Sequence, residues 1–557
     1  MSVRGEYCRW LRATEGDGEI HSELLSIENN DRLIESAFFR ELEFGTGGLR
    51  GTIGAGTNRM NLYTVSRATR GLAKYLKAKV GECDVAIGYD TRHKSRQFAE
   101  ISAATLCHFG IRVHMYSSPL PTPTLSYALR ELGCAAGIMI TASHNPAEYN
   151  GYKVYGSDGC QITEEMAEGI FRHICTEDYF DVPAFLDFEQ LIKSGSIEYI
   201  PDSLLEGFID RVCELSSLFG DEADKGISIV YTPLNGTGYI PVSRILHKNG
   251  YTGVTIVEEQ ATPDGSFPTC PKPNPELPEA LALGLEYAKD RKAEILLATD
   301  PDCDRVGVAV RVGEEYKILT GNQVGILLLD YIASQKIRHG VMPRRPIAIK
   351  TVVTSALAQR VAKSYGIETV NVLTGFKYIG EVIGRLEKAG ELRSFVIGFE
   401  ESCGYLSGTH SRDKDGVNAA YLIAEMCAFF KAKGITLWQR LNDIYNEMGY
   451  EKTALFSYDL EGVEGANKIK SIMRELRGID NPISSLGIQS TTDYSLGIGD
   501  LPPSDVVSFL LSDGSTLTVR PSGTEPKIKI YLSVFSDNEE MAKKRIEEIR
   551  GAFESLI

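Results

Sequence analysis

Short β-branched runs alternate with amphipathic stretches three times along the chain, and this repeat constrains the fold more than any other feature. In the first copy, the runs 84–89, 111–116 and 137–140 flank two stretches, 97–108 and 122–132, that are apolar at i, i+3 and i+4. The runs of the second and third copies are 227–231, 254–257, 294–298, 347–350, 369–373 and 395–397. Strands that alternate with helices form parallel sheets covered by helices. The repeat therefore predicts three α/β domains with mainly parallel sheets.

The C-terminal part of the chain has a different pattern. Two helical stretches, 466–476 and 539–556, enclose three strand-like runs, 506–511, 515–519 and 528–534. Such clustered strands with flanking helices are typical of an α+β domain. A chain of 557 residues is also too long for a single hydrophobic core. The sequence thus predicts four domains, at residues 1–203, 204–315, 316–453 and 454–557.

Charge and cysteine usage exclude several classes of partner. The formal net charge of −16 argues against nucleic acid or an anionic membrane, which both require an extended basic surface. No apolar run reaches the roughly 18 residues of a spanning helix. The 11 cysteines are scattered without a Cys-x-x-Cys pair, as in reduced cytosolic proteins. With no apolar leader at the N-terminus, the expected location is the cytoplasm.

Ligands of open α/β sheets bind beyond the carboxyl ends of the strands, so the segments that follow the strands carry the functional information. After the run 294–298 come Asp300, Asp302 and Asp304, at alternate positions of a tight turn. Three carboxylates there suit Mg²⁺, which prefers oxygen ligands. The calcium-binding EF-hand pattern is absent, and a solvated acidic turn is the alternative. An Asp-x-Asp after a strand also begins the haloacid-dehalogenase phosphatases, in which Asp300 would be phosphorylated.

A serine follows the third strand of the first repeat. Ser143 lies in the segment Thr141-Ala-Ser-His-Asn-Pro146, where it is a candidate nucleophile or phosphoryl carrier. The alternative is a helix-capping serine followed by an early proline. A Ser143–His144 hydrolase pair is disfavoured because adjacent residues rarely aim their side chains at each other. The Gly-x-Ser-x-Gly elbow is also absent.

Three further segments carry polar side chains suited to a phosphorylated sugar. Glu400, Glu401 and Ser402 suit recognition of vicinal hydroxyls, although a surface charge run is the alternative. Arg520-Pro-Ser-Gly-Thr524 offers a phosphate cradle, with a plain hairpin turn as the alternative. The segment 374–378 follows another strand and is a weaker candidate. Together with the aspartates and Ser143, these segments predict phosphoryl transfer on a sugar phosphate in a central cleft between the domains.

The chain resembles the α-D-phosphohexomutase superfamily, with four signature segments in family order. These are the phosphoserine segment 141–146, the metal segment 300–305, the sugar segment 398–402 and the phosphate segment 520–526. The glycine-rich segment 45–51, the segment 58–61 and the doubled glutamate are similar to the phosphoglucomutase/phosphopentomutase branch. Where phosphomannomutases carry Ser-Gly-His, this chain reads Ser402-Cys-Gly-Tyr405. His410 and Lys414 are the candidates to replace that histidine.

The resemblance implies a heart-shaped arrangement of four domains, a phosphorylated serine, Mg²⁺ and a 1,6-bisphosphate intermediate. The implied activity is that of a phosphoglucomutase, with a phosphopentomutase or another phosphohexomutase as the alternative, acting on small-molecule sugar phosphates. The implied catalytic residues are Ser143, Lys153, Arg50 and His144. The implied metal ligands are Ser143, Asp300, Asp302 and Asp304. The implied substrate-binding residues are Arg305, Thr374, Gly375, Lys377, Glu400, Ser402, His410, Lys414, Arg520, Ser522, Gly523 and Thr524.

Overall fold

The computed structural model describes residues 2–45, 47–181, 188–460, 462–478, 481–522 and 526–557. Four sheets follow one another along the chain. The first three combine parallel and antiparallel strands, and the fourth is antiparallel throughout. The predicted class, three α/β domains followed by an α+β domain, is confirmed.

The first sheet has the strand order β1-β5-β4-β2-β3-β6 and is preceded by three helices. The strands β4, β2, β3 and β6 are parallel to one another, whereas β5 pairs antiparallel with β4, and β1 antiparallel with β5, at one edge. The elements are α1 (Val3–Ala13), α2 (Gly18–Ser26), α3 (Asp31–Phe38), β1 (Gly48–Thr52), α4 (Leu62–Lys79), β2 (Asp84–Tyr89), α5 (Ser95–His108), β3 (Arg112–Met115), α6 (Thr122–Glu131), β4 (Ala136–Ile140), β5 (Tyr149–Gly156), α7 (Glu164–Ile174), α8 (Phe188–Lys193) and β6 (Ile197–Tyr199).

The second sheet has the order β11-β10-β9-β7-β8 and the third the order β13-β12-β14-β15. The second-sheet elements are α9 (Asp202–Cys213), β7 (Ile229–Thr232), α10 (Tyr239–Lys248), β8 (Val254–Ile256), α11 (Glu258–Ala261), α12 (Pro278–Arg291), β9 (Ile295–Thr299), β10 (Val306–Val312) and β11 (Glu315–Leu319). The third-sheet elements are α13 (Gly321–Arg338), β12 (Ile347–Thr351), α14 (Leu357–Ser364), β13 (Glu368–Val372), α15 (Phe376–Lys388), β14 (Phe395–Glu400), β15 (Gly404–Leu406), α16 (Gly416–Ala432) and α17 (Leu437–Met448).

The fourth sheet has the order β16-β20-β19-β18-β17. Its elements are β16 (Tyr450–Asp459), α18 (Gly462–Arg477), β17 (Ile488–Asp493), β18 (Val507–Leu511), β19 (Thr516–Pro521), β20 (Lys527–Ser536) and α19 (Glu539–Glu554). Each of the domain ends expected after residues 203, 315 and 453 falls inside an element, namely α9, β11 and β16. We propose boundaries at 201/202, 319/320 and 449/450, which keep those elements whole.

One apolar core passes through the first three sheets, whereas the fourth domain has its own core. The shared core includes Tyr127, Phe208, Tyr331 and Phe399, which come from three different domains. An apolar core shared by the three sheets holds them in a fixed position relative to one another. Their loops are therefore positioned relative to one another. Within the described residues, no helix has the length and apolar character needed to cross a bilayer.

Candidate active site

Three loops from three sheets meet at the site. Each loop follows a central strand, β4, β9 or β14, and the chain then returns as an antiparallel neighbour, β5, β10 or β15. Backbone hydrogen bonds join the loops to one another and to α6. The amide of Val306 donates to the carbonyl of Cys403 at 3.0 Å, and that of Thr122 donates to the carbonyl of Asp302 at 2.9 Å. A strand on both sides and bonds between loops leave each loop little freedom.

Ser143 lies at the turn of the first loop in a left-handed backbone conformation. Its φ is 53° and its side chain is buried. A non-glycine residue in this region costs about 1–2 kcal/mol, so surrounding contacts must impose the conformation. The backbone amide of Ser143 donates to Thr141 Oγ1 at 2.8 Å. Its Oγ donates to Asp300 Oδ2 at 2.8 Å, which links the serine to the acidic loop of the second domain.

Arg92 fixes the backbone of the serine loop. Its guanidinium is buried and donates to the carbonyls of Ser143, Asn145, Pro146 and Tyr149. Only an arginine offers five N–H donors in a planar fork, which suits four acceptors on one loop. Arg92 is therefore a positioning residue for Ser143.

Replacing Arg92 by lysine is expected to lower kcat by roughly 100-fold, because a small displacement of a reacting group has an effect of that order. A lysine retains the charge but cannot reach four carbonyl groups. Steady-state kinetics of the wild type and of Arg92→Lys measure the change in kcat, and their thermal midpoints show whether the variant is folded. Arg96→Lys, which changes an exposed arginine paired with Glu100, is the matched control. An unchanged kcat in Arg92→Lys would show that the clamp does not position the serine.

His144 does contact the serine, contrary to the expectation for adjacent residues. Its Nδ1 lies 3.2 Å from Ser143 Oγ. The left-handed turn at Ser143 brings the two side chains together, which an extended backbone would not do. Burial, together with the positive charges of Arg305 and Arg50, lowers the pKa of His144 to about 2. The imidazole is thus neutral and a weak base, which suits a hydrogen-bonding role.

The acidic loop gathers three carboxylates in one place. Asp300, Asp302 and Asp304 are buried, and one carboxylate oxygen of each lies within 4.8 Å of the others. Asp302 Oδ1 and Asp304 Oδ1 are buried without a hydrogen-bond donor. Burial and the neighbouring charges of Asp304 and Asp302 raise the pKa of Asp300 well above its usual value. Buried carboxylate oxygens without a hydrogen-bond donor are costly, so this donor set fits a hard divalent ion.

Two lysines accompany the aspartates. Lys153 Nζ lies 2.9 Å from Asp302 Oδ2, and Lys414 Nζ lies 3.1 Å from Asp304 Oδ2. Burial acts to lower the pKa of Lys153, but Asp302 and Asp304 outweigh it and raise the pKa above its ordinary value. A lysine that accepts a proton needs a lowered pKa. Lys153 is therefore held as a cation in this arrangement.

Arg50 lines a cavity beside the serine loop. It lies on β1, and its Nη1 donates to Asn145 Oδ1 at 3.2 Å. The cavity has a volume of about 780 Å³, and its lining includes Lys153, Arg40 and Arg59. This basic lining supplies the local positive charge that an anionic ligand requires in an acidic protein.

Glu400 and Glu401 face different partners. Glu400 Oε1 accepts the backbone N–H of Gly375 at 2.9 Å, which joins the sugar segment to the segment 374–378. Glu401 Oε2 accepts instead from Thr351 and Thr354, at 3.2 and 3.1 Å. Burial raises the pKa of Glu400 to about 7, with Glu401 acting in the same direction and Lys414 against it. Of the two glutamates, Glu400 is thus the one linked to the segment 374–378.

The raised pKa of Glu400 makes a prediction about stability. Between pH 4.5 and pH 7 the folded protein holds a proton at Glu400 that the unfolded chain has released, so stability falls as pH rises. The full effect of the shift is about 3 kcal/mol. Glu400→Gln is therefore expected to raise the thermal midpoint more at about pH 8 than at about pH 5. Exposed Glu286→Gln is the control. Equal changes at both pH values would contradict the raised pKa.

The structure places the remaining substrate candidates of the third domain in unequal positions. Thr374 Oγ1 is buried without a hydrogen-bond partner, next to Gly375, whose φ is 121°. Lys377 Nζ, in contrast, is paired with Glu164 Oε1 at 2.6 Å. His410 Nε2 lies 2.6 Å from Asp415 Oδ2, at the start of α16. Of the two candidates to replace the missing histidine, Lys414 is the one that contacts the acidic loop.

Arg520 and Pro521 of the phosphate segment are the last two residues of β19, and Ser522 follows them. Arg520 pairs with Lys529 across the two strands, and the amide of Ser522 donates to the carbonyl of Lys527 at 2.8 Å. Burial raises the pKa of Tyr531, and the positive charge of Arg520 acts to lower it. Gly523 and Thr524, the other two predicted contacts, lie outside the described residues.

Lys350 is a candidate active-site residue that the sequence motifs did not indicate. Its Nζ is buried and donates to the carbonyl of Thr354 at 3.0 Å, and burial lowers its pKa to about 8. The available signal was a lysine at the carboxyl end of a predicted parallel strand, β12. Lys350 donates to the carbonyls of Thr351 and Thr354, whose hydroxyls donate to Glu401, so these two threonines link Lys350 to the sugar segment.

Comparison with family models accounts for all four domains. The phosphoglucomutase/phosphomannomutase alpha/beta/alpha domains I, II and III match residues 41–180, 206–313 and 320–448. The C-terminal domain of the same family matches residues 463–550. The resemblance found in the sequence motifs is thereby confirmed. The alternative of a haloacid-dehalogenase phosphatase has no support in these matches.

Individual relatives agree with the family models. A phosphoglucomutase of Staphylococcus saprophyticus is 36% identical over 530 residues, which cover 92% of this chain and 93% of the relative. The phosphoglucomutase pp63/parafusin of Paramecium, in an open form, covers 92% of this chain and 95% of its own, with a TM-score of 0.70 and 19% identity. A putative phosphomannomutase of Thermus thermophilus covers 92% and 99%, with a TM-score of 0.69 and 24% identity. The two structures show the shared fold. The chain belongs to the phosphoglucomutase/phosphomannomutase family.

Proposed function

We propose that this enzyme is a phosphoglucomutase, an isomerase that interconverts glucose 1-phosphate and glucose 6-phosphate through a phosphoserine at Ser143. The observation that carries the proposal is the contact of Ser143 Oγ with Asp300 Oδ2 at 2.8 Å, at the edge of the aspartate cluster. The similarity to a phosphoglucomutase of Staphylococcus saprophyticus, 36% identical over 92% of this chain, supports glucose phosphates as the substrates.

The proposed cofactor is Mg²⁺, held by Asp300, Asp302, Asp304 and a phosphate oxygen on Ser143. When bound there, it would offset negative charge on the phosphoryl group. The two carboxylate oxygens without donors, on Asp302 and Asp304, support this assignment. The absence of sulfur and imidazole among the three clustered ligands favours a hard ion over zinc.

In the proposed reaction, the bond between Ser143 Oγ and phosphorus breaks as the free sugar hydroxyl bonds to phosphorus, and the proton released by that hydroxyl ends on the departing Ser143 Oγ. The product of this half is a bound glucose 1,6-bisphosphate, whose other phosphate then returns to Ser143. Arg92 holds the serine loop during both transfers. Lys153, kept cationic by the aspartates, donates a hydrogen bond to the reacting oxygen instead of taking its proton. Arg305 and Lys414 add positive charge at the same place.

Two groups of residues would hold the sugar phosphate in both of its orientations. Glu400 and Ser402 are proposed to bind ring hydroxyls, with Thr374 and Gly375 closing over the ring. Arg520, Ser522, Gly523 and Thr524 are proposed to hold the phosphate that is not being transferred, because an arginine binds phosphate through two parallel hydrogen bonds. A phosphate held in this way supplies binding energy for orientation at the reacting end.

We place the enzyme in the cytoplasm, since its eleven free cysteines suit a reducing compartment.

A direct assay tests the proposed substrate. Conversion of glucose 1-phosphate and of ribose 1-phosphate is measured separately, each with Mg²⁺ and a catalytic amount of glucose 1,6-bisphosphate. The proposal expects a higher kcat/KM for glucose 1-phosphate and a requirement for the bisphosphate. Faster conversion of ribose 1-phosphate would overturn the glucose assignment. Absence of conversion of both sugars would overturn the assignments to a phosphoglucomutase and to a phosphopentomutase.

A further inference from the structure

A second basic cavity lies away from the loops of the reaction. Its volume is about 970 Å³. It is bounded by the segment after α9, the C-terminal end of α13, the loop before β12, the start of β14 and the turn after β15. Its lining contains none of the residues assigned above to the metal, the serine loop or the sugar. It is therefore a separate feature of the molecule.

The charged lining of this cavity is dominated by cations. Lys336, Arg344, Arg345 and Arg393 line it, against two carboxylates, Glu214 and Glu391. Both carboxylates already have partners, because Glu214 lies 2.9 Å from Arg211 and Glu391 lies 3.7 Å from Arg345. In a chain with a net charge of −16, four cations around one cavity stand against the overall balance. Their mutual repulsion is relieved when an anion binds among them.

Three of these cations lack a carboxylate partner. In the described part of the chain, no ion pair involves Lys336, Arg344 or Arg393. Lys336 is also half-buried at the end of α13, and burial lowers its pKa. A desolvated ammonium without an anionic partner is energetically unfavourable. These three side chains thus provide donors that are available to a ligand.

The rest of the lining includes apolar side chains. Leu215, Phe219, Val341 and Leu392 contribute to the walls. A cavity of this kind suits a ligand with both an organic part and a charged group. Arginine and lysine side chains together match the oxygens of a phosphate.

From this combination of charge, volume and apolar walls, we infer that the cavity is a second binding site for a small organic phosphate. The site takes one molecule, with its phosphate among Lys336, Arg344 and Arg393 and its organic part against Phe219 and Leu392. The inference is independent of the reaction at Ser143, since it shares no residue with that site.

Titration calorimetry on the full chain tests the inference. The probes are glucose 6-phosphate, adenosine 5′-monophosphate and inorganic phosphate. All are titrated into an Arg520→Gln background, which weakens the proposed phosphate contact of the active site. We expect at least one organic phosphate to bind. Adding Arg344→Gln and Arg393→Gln should weaken that binding at least about tenfold, because each removes a charged hydrogen bond. Arg12→Gln with Arg32→Gln, two other exposed arginines, is the charge-matched control and should leave the affinity unchanged.

The three probes identify the ligand class. Tighter binding of glucose 6-phosphate supports a sugar phosphate, and tighter binding of adenosine 5′-monophosphate supports a nucleotide. Inorganic phosphate binding as tightly as both would overturn the role of the apolar walls. Equal affinities in the cavity variant and its background would overturn the site itself, as would an equal loss in the charge-matched control. Lys336→Met is an independent second variant. It keeps an unbranched side chain of similar length but removes the ammonium group, and it is expected to cause the same loss of affinity.

Discussion

Replacing Ser143 by alanine is expected to abolish mutase turnover, with kcat reduced at least about 10⁴-fold. Without the hydroxyl, no covalent phosphoserine forms, and the sugar hydroxyl has no phosphoryl donor in the site. The remaining residues still bind substrate, so KM should change far less than kcat. Steady-state assays with glucose 1-phosphate and catalytic glucose 1,6-bisphosphate provide both constants.

The matched control for this variant is Ser157→Ala, an exposed serine in the turn after β5. It removes the same hydroxyl outside the site and should retain the wild-type kcat. The alanine variant also leaves the buried carboxylate of Asp300 with one hydrogen-bond donor fewer. Turnover of Ser143→Ala within tenfold of the wild type would contradict the covalent mechanism.

Replacing Asp302 by asparagine is expected to reduce kcat at least about 10³-fold and to weaken binding of a divalent ion. The change removes one of three carboxylate charges from the cluster, and charge count sets the affinity of such sites. It also removes the ion pair with Lys153, which lies 2.9 Å away. Affinity for Mn²⁺, measured by calorimetry in the absence of substrate, provides a readout that does not depend on turnover.

Asp290→Asn is the control for Asp302→Asn, because this aspartate is exposed at the end of α12. It should leave both kcat and Mn²⁺ affinity at the wild-type values. If Asp302→Asn bound Mn²⁺ as tightly as the wild type, the cluster of aspartates would not be the metal site. If Mn²⁺ affinity fell while kcat stayed the same, the metal would have no part in the reaction.

The sequence predicted the site best where all the chemistry lies in one short turn. Asp300, Asp302 and Asp304 alternate after a strongly apolar strand, so their convergence follows from local geometry alone. The parallel strands were recognisable for a similar reason, since each is a short run of buried β-branched residues. What these runs did not reveal are the antiparallel strands β5, β10 and β15 that return from each loop. The strand β5, Tyr149–Gly156, contains three glycine and asparagine residues, which are poor strand formers, and tertiary pairing overrides that preference.

Long-range contacts could not be predicted from the motifs. Arg92 is a charged residue after a strand, and only the folded loop reveals that it donates to four carbonyls. Lys377 lies in a predicted substrate segment, yet Glu164 of the first domain holds it in an ion pair. His144 reaches Ser143 only because the backbone at the serine is left-handed. The partners of Arg92 and Lys377 lie in distant parts of the chain, and the contact of His144 depends on a rare backbone conformation.

The identity of the phosphorylated residue decides whether Ser143 carries the phosphoryl group. The enzyme is incubated with glucose 1,6-bisphosphate, digested, and mapped by mass spectrometry after acid and after base treatment. We predict an acid-stable phosphoryl group on Ser143, absent from Ser143→Ala. An acid-stable phosphoserine elsewhere, or a base-labile acyl phosphate on Asp300, would contradict it.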